Sequence, residues 1–208
     1  MLCRPIWLGG DPGPRYHELM HLRRRHHLPE ETFDGQPRVV ALTVCTAERV
    51  RWLAEASLAE IVAAEIMRLH ADHPVIGYCL MPDHLHAMVC TGGRPPRAIV
   101  QLLKGRTSRQ VRRLRPELAP WQTGYWDRVV RREDGLFQTL RYMLMNPVRA
   151  GLVEDWWEHP LIGAPLLGPI SPTMFDTVVP EDALWRDLLG LDHLEHDPPP
   201  GQRSGRGG

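Results

Sequence analysis

Lysine is almost missing from this chain: Lys104 is the single one, and arginine supplies the rest of its 25 basic side chains. Arginine's planar fork makes paired hydrogen bonds to phosphate, and a GC-rich coding sequence enriches the same residue, so the bias alone has two readings. Aromatic residues are few, at 7% of 208 positions. No stretch approaches the roughly 18 consecutive apolar residues of a membrane-spanning helix, and the N-terminus lacks the apolar core of a secretory signal. These absences predict a soluble, cytoplasmic chain. Cysteine is sparse as well. Cys3, Cys45, Cys79 and Cys90 show no C-x-x-C spacing, and the last three lie in apolar runs. This argues against a disulfide framework or a zinc knot and predicts reduced core thiols. No repeat of roughly 20 to 50 residues is visible, which sets solenoids aside.

What is present suffices for one compact core, with 43% hydrophobic residues. The formal net charge is zero, but the charge is segregated: residues 94–149 hold 13 Arg/Lys against 4 Asp/Glu, while the segments on either side are acidic. Three domains of behaviour are predicted. Residues 1–37 mix Pro, Gly and clustered bases (Arg23, Arg24, Arg25, His26, His27) and read as an irregular basic arm. Residues 38–155 read as the folded domain. Residues 156–208 read as a Pro/Gly-rich acidic extension with a possible short helix over 181–191 and a disordered low-complexity tail.

Within the middle segment, Arg38 to Thr46 is β-branched and apolar, a buried strand, and Leu58 to His70 has apolar positions at helical spacing. Val75 to Met81 and His84 to Thr91 are strand-like runs parted only by Pro82-Asp83, which predicts an antiparallel hairpin. Ala98 to Leu114 reads as an amphipathic basic helix, Trp121 to Arg132 as a loop and short strand, and Glu133 to Ala150 as a helix that kinks or ends at Pro147. The predicted order β-α-β-β-α-β-α is that of an α+β fold, an antiparallel sheet backed by helices.

Three groups of residues can carry chemistry. His84 and His86, two apart on a strand, share a face and can converge on one divalent ion, with Leu85 pointing into the core. In a chain with 11 histidines such a triplet also arises by chance about half the time. Tyr142 and Asn146, four apart on a helix, share a face and offer a nucleophilic oxygen and an amide ligand; they equally suit a core edge and a helix terminator. The third group is the basic segment: Arg94, Arg97, Lys104, Arg106, Arg109, Arg112, Arg113, Arg128, Arg131 and Arg132. Such residues contact nucleic-acid phosphates, and the interleaved Trp121, Tyr125 and Trp126 can stack on unpaired bases or fill the core.

Together these motifs match a family. Tyr78 to Val89 (YCLMPDHLHAMV) resembles the strand-turn-strand of single-tyrosine HUH transposases, and Arg141 to Val153 (RYMLMNPVRAGLV) resembles their tyrosine helix. Leu103 to Arg109 and Trp121 to Arg131 are similar to the branch of REP-associated tyrosine transposases within the insertion sequence 200-like superfamily, so that the resemblance runs from Arg38 to Val153. It implies a ferredoxin-like, RRM-like fold and a single-strand DNA endonuclease and strand transferase acting at palindromic hairpins. It also implies Tyr142 as nucleophile, His84 and His86 as ligands of Mg2+ or Mn2+, and Asn146 as the third ligand. Asp83 stands where many relatives carry Asn, and as a carboxylate it can orient an imidazole. The family contains monomers and homodimers, and a DNA enzyme of this kind would be nucleoid-associated. Two alternatives stay open: a hairpin-binding regulator that no longer cuts, and a zinc hydrolase using His84 and His86 with water as nucleophile.

Overall fold

The computed structural model describes residues 35–176 and 181–189. The basic cluster at 23–27, Cys3 and the tail beyond 189 lie outside these residues. Four strands and two helices follow the anticipated order: β1 (Val39–Cys45), α1 (Ala56–Asp72), β2 (Val75–Met81), β3 (His84–Cys90), α2 (Pro96–Leu114) and β4 (Trp126–Val129). The strands form one sheet in the order β4-β1-β3-β2, all neighbours antiparallel, which is the ferredoxin-like arrangement. A further strand, β5 (Ile162–Gly163), extends the sheet beyond β2. The sequence reading has no strand there, because two residues carry no alternation to detect.

Pro82-Asp83 makes the hairpin tight, and the end of β1 holds its tip. The amide and hydroxyl of fully buried Thr46 both donate to the Asp83 carbonyl, at 3.0 and 2.9 Å. Alternation along the strands then decides what lies where. Val40, Leu42, Val44, Leu85, Ala87 and Val89 face one side and meet Leu58, Val62, Ile66, Ile99, Val100 and Leu103 of α1 and α2. Both crossover helices therefore cover a single face. They are tied together by Glu65, 1% exposed, which accepts hydrogen bonds from Arg68 (2.6 Å), Arg106 (3.1 Å) and Gln110 (3.3 Å).

Burial by itself would raise the Glu65 carboxyl, but the hydrogen bonds and charges of Arg68 and Arg106 outweigh it and hold the group below its ordinary value. A carboxyl depressed in this way contributes stability that is complete above its unfolded pKa and is lost as pH falls through the folded value. Glu65→Gln should therefore cost about 1–3 kcal/mol near neutral pH, with a smaller gap in acid, as urea titrations at both pH values would show.

The opposite face is covered by α3 (Leu136–Leu144), through Leu136, Leu140, Met143 and Leu144. The helix approaches so closely that a Cβ on Gly77 would lie 2.4 Å from Leu140 Cδ1 and 3.3 Å from Met143 Cε. Gly77→Ala should lose about 1–3 kcal/mol through overpacking. Combined with Leu140→Ala, the loss should be less than additive in a double-mutant cycle followed by denaturation.

The helix anticipated over 133–150 is broken two residues earlier than expected, at Met145, and resumes as α4 (Asn146–Arg149). Pro147 lies in the first turn of α4, where its missing N–H costs little. Asn146 Nδ2 donates at 2.7 Å to the Met143 carbonyl that residue 147 would serve in a continuous helix. The core also runs past residue 155: Trp156, Ile162 and Trp185 join the cluster around α3. Trp185 lies on α5 (Glu181–Leu189), so the anticipated short acidic helix is present and docked.

Candidate active site

His84 and His86 stand on the α3 face of β3, while the fully buried Leu85 joins the opposite cluster. The two imidazoles meet edge to face, with centroids 4.6 Å apart and Nε2 atoms 3.0 Å apart. Each Nδ1 has an oxygen partner: Asp83 Oδ1 at 2.6 Å from His84 and Thr43 Oγ1 at 2.9 Å from His86. With protons on both Nδ1 atoms, donated to these oxygens, both Nε2 lone pairs would face one point, the arrangement that prepares histidine for metal binding. Burial, then the charges of His84, Arg149 and Arg49, hold His86 well below the ordinary histidine value and keep it neutral. Asp83 is lowered first by its hydrogen bond from His84, against the opposing effect of burial. It is also 3.5 Å from Arg49.

The donor set fits an ion with open positions. Among the described residues, no group of three or more His, Cys, Asp or Glu side chains is arranged to hold a metal. Two nitrogens fall short of the three protein ligands usual for catalytic zinc, and they leave room for water and substrate oxygens.

Tyr142 is half-buried on the outer side of α3. Above its ring lies the Arg149 guanidinium, with Cζ 4.0 Å from the centroid. Arg149 also donates to the Tyr142 carbonyl (2.6 Å) and to Asn146 Oδ1 (2.8 Å), so one cation holds three consecutive turns in place. Burial lowers its pKa, with the neighbouring Tyr142 and Cys79 opposing. Because its charge also acts on His86, Arg149 links the tyrosine helix to the histidine pair. Asn146 is committed at both ends of its amide, to Met143 and Arg149. As a third ligand it would have to use the remaining lone pair of Oδ1 or release Arg149.

The sequence reading missed Arg49, Thr43 and Arg149. Arg149 had a visible signal, lying seven residues after Tyr142 and three after Asn146 on one helical face. Arg49 had none: it is placed by two successive left-handed residues, Glu48 (φ 51°) and Arg49 (φ 59°), an uncommon backbone state without glycine. Thr43 becomes visible only through register, since β1 pairs it with His86.

The basic segment does not form one surface around the histidines. α2 lies behind the sheet, so Arg106, Arg109, Arg112 and Arg113 ride on the layer opposite the pair, because both crossover helices share that face. Lys104 is half-buried and donates to the Gln122 carbonyl at 2.8 Å and to that of Gly124. It clasps the loop before β4. Arg106 bonds Glu65, Arg128 pairs with Asp134, and Arg132 reaches Asp182 at 3.9 Å. Arg94, Arg97, Arg109, Arg112, Arg113 and Arg131 are exposed.

Comparison with known proteins adds a family to this geometry. Residues 39–133 match the model of the IS200-like transposase family. This segment is similar to the domain of that family. A Haemophilus influenzae protein whose name places it among the REP-associated tyrosine transposases is 26% identical, over 42% of this chain and 58% of its own. The chain thus spans little more than half the length of that relative. Among solved structures, a REP-associated tyrosine transposase bound to a REP hairpin superimposes with a TM-score of 0.52 at 17% identity, covering 67% of this chain and 80% of that one. That likeness establishes the fold. The family match covers β1 to β4 and both histidines, and ends before Tyr142. No helix among the described residues is long and apolar enough to cross a membrane.

Proposed function

We propose that the chain is a metal-dependent single-strand DNA endonuclease and strand transferase acting at hairpins. The hairpin preference follows the similar structure, which is bound to a REP hairpin. One observation carries the reading: the Nε2 atoms of His84 and His86 converge on the face that α3 covers, and α3 carries Tyr142 under the Arg149 guanidinium. Residues 38–155 are its catalytic part, with 1–37 and 156–208 flanking it.

In the reaction, Tyr142 Oη attacks a backbone phosphorus and gives up its proton. The P–O3′ bond breaks, the departing 3′ oxygen takes a proton, and a 5′-phosphotyrosine ester remains. Reversal by a 3′-hydroxyl rejoins the strand, so no external energy source is needed. His84 and His86 would hold Mg2+ or Mn2+, with Asn146 as a further donor, and the bound ion supplies Lewis-acid stabilisation of charge on the phosphate. Asp83 and Thr43 keep the imidazoles oriented. Arg149 holds the phenol ring and the turns on either side of Asn146 in place. Exposed arginines of the basic segment contact phosphates further along the DNA.

The test is incubation of the full chain with end-labelled, single-stranded palindromic DNA flanking its gene, with Mg2+ or Mn2+. A protein-linked product that survives denaturing electrophoresis, together with a free 3′-hydroxyl fragment, is expected. Tight binding without an adduct would identify a regulator instead, and cleavage without protein-linked phosphate would identify a hydrolase. Arg149→Met should slow adduct formation by about tenfold or more, since it removes the cation that braces the Tyr142 ring and Asn146.

A further inference from the structure

The aromatic residues interleaved with the basic segment have three different fates. Trp121 Nε1 donates to Thr107 Oγ1 at 2.9 Å, and its ring packs edge-on against Trp52 at 5.1 Å. Tyr125 is 8% exposed in the cluster under α1 and α2. Trp126 is 39% exposed. It begins β4, at the edge of the sheet. Since Tyr125 and Val129 pack toward α1 and α2, strand alternation puts Trp126 and Arg128 on the other face, which is that of the histidine pair.

Register then fixes the row. Trp126 is opposite Thr43, and Thr43 is opposite His86, whose Nδ1 it binds. With neighbouring strands about 4.8 Å apart, the Trp126 backbone lies about 10 Å from that of His86. Between them, on the same face, are the small, half-exposed side chains of Ala41 and Thr43. The layer formed by α3 is laid over β2 and β3, and the cluster beneath it takes in Val39, Ala41 and Val130 at the end of β1 away from Thr43 and Trp126. The result is a shallow shelf floored by two small residues. An exposed indole bounds one side, and the paired imidazoles bound the other. Arg49 and Arg149 supply positive charge at the imidazole end, where a phosphate belongs, while the Trp126 end presents an aromatic face.

The geometry points to Trp126 as a stacking platform for one unpaired base of the strand whose phosphate lies at His84 and His86. This rests on the single-strand DNA reading above, and it adds the position at which that strand is held. It also implies that the nucleotide adjoining the cut is read as an unstacked base. An aromatic platform accepts any base through its π-face, so the contact should add affinity with little sequence preference.

The test uses Tyr142→Phe protein, which leaves DNA uncut, and two probes of equal charge: an oligothymidylate of about twenty nucleotides and an abasic sugar-phosphate oligomer of the same length. Adding Trp126→Ala should weaken oligothymidylate binding by about 5- to 150-fold, as measured by fluorescence anisotropy, and change abasic binding by less than about twofold. Trp126→Phe should restore most of the loss, which a general folding defect would not allow. Equal losses on both probes, no loss on either, or failure of the Trp126-containing protein to bind oligothymidylate would overturn the inference. The covalent adduct assay reports separately on the strand-transfer reading. An adduct formed normally by Trp126→Ala protein, with unchanged DNA affinity, would remove Trp126 and leave Tyr142 in place. Base-dependent binding through Trp126 without any adduct would do the reverse.

Discussion

Tyr142→Phe protein is expected to form no covalent adduct with DNA, a fall of at least about a thousand-fold, because the substitution removes the oxygen that takes the 5′-phosphate as the P–O3′ bond breaks. The substitution removes one oxygen and nothing else. The ring keeps its position under the Arg149 guanidinium, and the backbone carbonyl of residue 142 still accepts from Arg149. Stability should therefore change by less than about 1 kcal/mol, and DNA affinity by less than about twofold. Gel analysis of the adduct, anisotropy for binding and a denaturation curve for stability separate the three quantities. Full cleavage by the Phe protein would assign the nucleophile elsewhere.

The second large effect belongs to the histidine pair. His84→Ala and His86→Ala should each lower cleavage by about 10^2- to 10^3-fold, the size seen when a group that stabilises charge at the reacting centre is removed. Their consequences for the fold should differ. His86 is 8% exposed and bonded to Thr43, so its loss leaves a hole on the α3 face and an unpaired Thr43 hydroxyl. His84 sits at the hairpin tip, with a side chain 19% exposed, and its loss should be milder for stability. Mn2+ binding followed by electron paramagnetic resonance provides a readout independent of cleavage, and both variants should lose it. Asp83→Ala removes only the orienting carboxylate and should weaken metal binding by a smaller factor, about 10- to 100-fold. Unchanged Mn2+ binding in both His→Ala proteins would show that the pair is not the metal site.

These effects trace back to features with unequal visibility in the chain. The Pro82-Asp83 break between two apolar runs made the hairpin legible, and the two-residue period of a strand put His84 and His86 on one face without any coordinates. Helical spacing identified α3 and paired Tyr142 with Asn146. The charge count did not locate a surface, because a run of arginines in sequence is divided by the fold between two faces of a sheet. Lys104, Arg106 and Arg128 are engaged with the protein's own carbonyls and carboxylates. A buried acceptor such as Glu65 attracts nearby cations as strongly as a phosphate does, and composition cannot tell the two apart.

Local sequence, then, determined the four main strands, the two crossover helices, their order, the shared face of the histidines and the helix that carries Tyr142, since each depends on periods of two or 3.6 residues and on turn residues that act within a few positions. Only the tertiary structure decided that Thr43 and Asp83 anchor the imidazoles, that Arg149 covers Tyr142, that Trp126 shares a row with His86 and that α2 carries its arginines behind the sheet. Those outcomes depend on strand register and on the face to which a crossover helix packs, and both are settled by burial of the whole core across distances that no local pattern encodes.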